Sequence, residues 1–122
     1  MDLEKYFEIA KKYCTTEPYR ATIFAKPIYA CEIKNPFTKF EIKFNFENKT
    51  ITLGEKESKI VIKLEPPFYT YYSYPKNGKE ISITKWEIEK DFELENFEKT
   101  LKSILHLPSY IKYKIKKYLE KV

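Results

Sequence analysis

Glycine is nearly absent: the 122 residues contain only Gly54 and Gly78. With no glycine-rich loop, no stretch of backbone N–H groups can close around a phosphate, so the Walker pattern and the dinucleotide fingerprint are both excluded. Histidine is reduced to His106 and cysteine to Cys14 and Cys31, with no C-x-x-C pair. A structural zinc site cannot be assembled from that inventory. A Cys–His catalytic pair has no local signature to support it. His106 reads instead as a residue in the last turn of a helix, where partial positive charge is favoured. No catalytic residue, metal or cofactor is expected.

Arginine is Arg20 alone. A single guanidinium near a strand start reads as a surface ion pair rather than a phosphate fork. No apolar run approaches the roughly 20 residues of a membrane span. The opening MDLEKYFE lacks the basic and apolar regions of a signal peptide, so a cytoplasmic protein with no membrane partner is expected. In that compartment Cys14 and Cys31 are expected as free thiols. A bridge is the alternative in a hyperthermophile, where intracellular disulfides occur. The composition fits such a thermophile-like source, being rich in Lys, Glu, Ile and Tyr and free of Gln, although AT-rich codon usage produces the same bias.

What is present is aromatic and basic. The length suits a single domain, residues 1–122, with one core. The formal net charge is +5, yet residues 99–122 hold seven lysines against Glu120 alone, so the basicity belongs to the tail. An anionic partner should meet that tail first.

Periodicity predicts an amphipathic helix over Asp2–Cys14, its stripe made by Leu3, Tyr6, Phe7, Ala10, Tyr13 and Cys14. From Tyr19 the period becomes two. Tyr19–Lys34 reads as extended, with Pro27 marking an edge or bulge. Lys39–Glu47 alternates cleanly, with Phe40, Ile42, Phe44 and Phe46 on one face. Thr50–Leu53 and Lys59–Leu64 follow. Asn77-Gly78 is a strong hairpin signal leading into Glu80–Glu89, where a phase slip predicts a bulge near Thr84-Lys85. Asp91 is expected to cap a second helix, broken by Pro108, and Ser109 a third. The predicted fold is α+β: an antiparallel meander of about six strands, with one N-terminal helix and two C-terminal helices mainly on one face.

Glu32-Ile33-Lys34 and Glu41-Ile42-Lys43 each read E-x-K on a strand, which loosely resembles the metal-dependent PD-(D/E)xK nucleases. That family also needs an upstream acid, usually Asp. Glu4 and Glu8 lie on the preceding helix, but no Asp occurs between Asp2 and Asp91, so no catalytic role is carried over.

The densest aromatic stretch is PPFYTYYSYPKNGK, Pro66–Lys79. Extended, it places Phe68, Thr70, Tyr72 and Tyr74 on one face and Tyr69, Tyr71 and Ser73 on the other. Its lysines, Lys76 and Lys79, flank the turn. On a helical wheel the tail sets Ile111, Ile115, Tyr118, Leu119 and Val122 together, and Tyr110 and Tyr113 opposite them among Lys114, Lys117 and Lys121. Tyrosines accept stacked bases and lysines neutralise phosphates, so binding of single-stranded nucleic acid through Tyr69, Tyr71, Lys76, Lys79, Tyr110, Tyr113, Lys114, Lys117 and Lys121 is the leading expectation. The alternative is a protein-interaction module (an adaptor, an inhibitor or a homodimer) with the aromatic strand 68–74 as its interface.

Overall fold

The computed structural model describes residues 2–15, 19–20, 28–34, 39–55, 57–107 and 109–119. Helix α1 (Leu3–Lys11) precedes strands β1 (Tyr19–Arg20), β2 (Ile28–Lys34), β3 (Lys39–Asn45), β4 (Thr50–Glu55), β5 (Ser58–Lys63), β6 (Tyr69–Lys76) and β7 (Lys79–Lys85). A 3-10 turn (Lys90–Phe92) leads to α2 (Leu94–His106) and α3 (Tyr110–Leu119). The strands form one antiparallel meander in the order β1-β2-β3-β4-β5-β6-β7. With β1 only two residues long, this is the expected α+β fold of about six full strands.

Local chemistry sets the boundaries. β3 follows its alternation but stops at Asn45, whose Oδ1 accepts the N–H groups of Glu47 and Asn48 at 3.0 Å and bends the chain. Asn77 and Gly78 both have positive φ, 52° and 76°, as a type I′ hairpin turn requires. Two expectations need correction. Tyr19–Lys34 is not one extended segment, because Tyr19 and Arg20 pair antiparallel with Ala30 and Tyr29; Pro27 lies outside the described residues. Nor is there a bulge at Thr84-Lys85. The register runs unbroken to Thr70↔Lys85, and the phase slips because the strand ends there.

All three helices cover one face of the sheet. Phe40, Ile42, Phe44, Ile51, Leu53, Ile60, Ile62 and Tyr72 point into this layer and are fully buried. Tyr6 stands at its centre: its ring packs edge-on against Phe97 at 4.8 Å, and its hydroxyl donates to the Phe92 carbonyl at 2.9 Å. Burial, with a contribution from the Glu93 carboxylate, pushes the Tyr6 phenol up to about 12. At the seam of α1 and α2 the Tyr13 hydroxyl donates to Glu98 at 2.7 Å. That bond holds the Glu98 carboxyl below its ordinary value, aided by Lys12 and Lys102 and opposed by desolvation.

The cysteines are bridged, not free. The end of α1 runs against β2, where the Thr15 N–H donates to the Glu32 carbonyl at 2.7 Å. This brings the Cα atoms of Cys14 and Cys31 to 5.7 Å, within the span of a disulfide. Asp91 is corrected too. It sits in the 3-10 turn rather than capping α2, whose N-cap residue is Glu93, and its carboxylate pairs with Lys114.

Candidate functional site

The face of the sheet away from the helices carries the alternate residues. Glu32 lies opposite Glu41 there; Lys39 reaches Glu32 at 2.7 Å and Lys43 reaches Glu41 at 3.4 Å. Glu32, Glu41 and Lys43 thus lie on the outer face, with Ile33 and Ile42 buried beneath. Tyr69 and Tyr71 share this face, beside Lys63 and Val61 of β5. The Tyr71 hydroxyl donates to Glu80 at 3.4 Å, and Ser73 donates to the same oxygen at 2.5 Å. Lys59 lines a concavity with both rings.

Where β7 ends, Trp86 turns outward and is 73 % exposed. Its ring meets Tyr69 edge-on at 6.1 Å. Phe68, just before β6, is also exposed and lines the same groove of about 800 Å³, with Ile88 and Leu94 as its apolar floor. Glu87, Glu93 and Glu95 border this groove, and no lysine does among the described residues. The corner is held rigidly from below. Buried Thr70 donates its hydroxyl to the Glu87 carbonyl at 2.9 Å and accepts the Glu89 N–H at 3.0 Å. Lys85 adds an ion pair to Glu89 at 2.8 Å. Trp86 is therefore a large apolar side chain displayed on a clamped bend.

A second concavity, of about 470 Å³, opens on the helix side between the 3-10 turn, α2 and α3. Lys90, Lys99, Lys114 and Lys117 converge on it with Tyr113, and Asp91 is its one acid among the described residues. Lys114 is only 8 % exposed; its ammonium pairs with Asp91 and lies 5.9 and 5.8 Å from the Phe92 and Tyr110 ring centres.

The residues expected to form one nucleic-acid surface are divided among three places. Tyr69 and Tyr71 are on the outer face. Lys76 and Lys79 are exposed at the hairpin tip, at the other end of β6 from Tyr69; at roughly 3.4 Å per residue the strand spans about 24 Å. Tyr113, Lys114 and Lys117 lie on the helix side, and Lys121 is outside the described residues. Tyr110 is corrected: it is 3 % exposed and packs against Phe40 at 6.4 Å, not in the polar face of its helix. Lys114 likewise turns inward, because α3 is rotated to seat both residues over Phe40 and Phe92. Phe68 is corrected in the opposite sense, since it precedes the strand and escapes the buried face.

Trp86 and its carboxylate border escaped sequence reasoning, as did Lys90 and Lys99. The phase slip at Thr84-Lys85 was the available signal for Trp86. Compared with known proteins, the chain matches no protein-family model, no curated protein and no solved structure.

Proposed function

We propose that this chain is a protein-interaction module whose docking site is the corner formed by Phe68, Trp86 and Leu94, and that its partner presents an apolar anchor flanked by lysine or arginine. The exposed, clamped Trp86 is the observation that carries this reading. Contiguous exposed apolar surface marks interaction sites, and tryptophan is prominent among residues that dominate binding energy. Because Thr70 already immobilises the bend, little ordering entropy remains to be lost on docking. Glu87, Glu93 and Glu95 supply the charge preference, since they favour a cationic segment and repel phosphates. β7 adds an open strand edge beside the corner, to which an extended segment can hydrogen-bond. Stacking of single-stranded nucleic acid on Tyr69 and Tyr71 is less well supported. Lys59 shares their concavity, but the expected Lys76, Lys79, Lys114 and Lys117 lie at the far hairpin tip or across the sheet.

Selection of displayed random peptides against the full chain tests the proposal. Enriched peptides are expected to combine an aromatic or branched aliphatic residue with Lys or Arg, and to lose at least about tenfold in affinity for Trp86→Ala. Enrichment without that bias, or equal binding to Trp86→Ala, would exclude the corner as the docking site. Sedimentation at several concentrations supplies the homodimer control: association abolished by Trp86→Ala would make a second copy the occupant.

A further inference from the structure

We propose that the lysine cleft between the 3-10 turn, α2 and α3 binds a multiply charged phosphate group, carried either by a free nucleotide or by the phosphorylated end of a strand. This does not rest on the docking corner, which lies elsewhere and has the opposite charge.

Three separate elements deliver the cations: Lys90 from the 3-10 turn, Lys99 from α2, and Lys114 and Lys117 from α3. Lys90, Lys99 and Lys117 are exposed and have no ion-pair partner among the described residues. Ammonium groups gathered around one concavity repel each other, and among the described residues Asp91 alone opposes that charge from within. A multiply charged anion at the centre relieves the repulsion. Lysine suits phosphate as a compact point charge, and several lysines on different elements suit an oligophosphate better than a single monoanion.

The cleft also has a floor and a wall. Lys114 is fixed over Phe92 and Tyr110 by its pair with Asp91, so one ammonium is preplaced at the base. Tyr113, 51 % exposed, supplies a ring at the mouth on which a base can stack. At about 470 Å³ the volume is within the range of small-ligand sites and suits a nucleotide. Asp91 has a definite part: its carboxylate occupies the base of the cleft in place of an anion and competes with any phosphate that enters.

Calorimetric titration of the full chain at low salt tests this with three probes: tripolyphosphate, a nucleoside triphosphate, and an oligothymidylate of about ten residues with and without a 5′-phosphate. Binding of at least one probe is expected, weakened about tenfold or more by Lys99→Glu together with Lys117→Glu and by rising salt. Asp91→Asn is expected to tighten it several-fold, and Trp86→Ala to leave it unchanged. Binding of tripolyphosphate and nucleotide identifies a free ligand; binding only of the 5′-phosphorylated strand identifies a strand end. Circular dichroism establishes that the charge-reversed variant is folded. No binding by any probe at low salt would overturn the proposal, as would equal affinities for the parent chain and the double variant.

Discussion

The corner at Trp86 and the cleft at Lys114 are joined by a single short segment, yet their chemistries are opposite. At the corner the aromatic rings are exposed and the charges around them are glutamates. In the cleft the charges are lysines, and two of the rings nearest to them, Phe92 and Tyr110, are buried. Tyrosine and lysine interleave along the chain, but folding sorts them. The contrast shows that a tyrosine–lysine composition does not make a stacking surface. Such a surface needs both residue types on one face; here the sheet separates Tyr69 and Tyr71 from the tail lysines, while Tyr113 stands with them.

The sharpest break in this contrast comes from Phe92, which lies in the chain between Trp86 and α2 and packs beneath Lys114. It is fully buried, its carbonyl accepts the Tyr6 hydroxyl, and its ring underlies Lys114. Phe92→Ala is expected to cost about 3–5 kcal/mol in chemical denaturation and to disturb corner and cleft together. Opening the Cys14–Cys31 bridge, which spans a sequence separation of 17, is expected to cost about 3 kcal/mol on the chain-entropy account and to disturb neither. Comparing Tm with and without reductant, alongside both binding assays, checks this.

Thr70→Val separates the two regions. It keeps the side chain's shape but removes the clamp on Glu87 and Glu89, at an expected cost of about 1–3 kcal/mol. Trp86 should gain mobility, seen as lower steady-state fluorescence anisotropy, while the cleft retains its lysines and its affinity. A pH titration probes the core shared by both. The folded state holds the Tyr6 proton more tightly than the unfolded chain. Its contribution is therefore complete below pH 10.0 and is lost as pH climbs through about 12, and Tyr6→Phe should flatten that alkaline limb of the Tm profile. Glu98 acts in the other direction: its lowered carboxyl stabilises the fold above the ordinary carboxylate range, and that contribution fades as acid protonates it. The smallest effect on stability belongs to Trp86→Ala, within about 0.5 kcal/mol because the ring is largely in water. Peptide affinity should nevertheless fall steeply.

The fold was legible where its causes are local. Alternation over β3 and β6 identifies the inward residues because a strand's period is fixed at two, and Asn77-Gly78 marks its turn because few other pairs accept two positive φ values. The candidate sites were legible only in part. On α3 the helical wheel orders residues around an axis but cannot set the axis's rotation, which depends on Phe40 beneath Tyr110 and Asp91 beside Lys114. Nor does any sequence spacing reveal that Lys90, Lys99 and Lys117 meet. At Trp86 a change of phase looks the same whether a strand bulges or ends, and the Thr70 clamp that decides it lies 16 positions upstream.

The two borders of the sheet are unequally finished. On the β2 side, β1 covers one end, while the Thr15 N–H and the disulfide occupy positions nearer the other. On the far side, β7 has no strand beyond it among the described residues. A chain with one long open border can add a single strand, or join a second copy border to border. The border-to-border join uses both edges and closes at the dimer, whereas an added strand presents a fresh edge of its own.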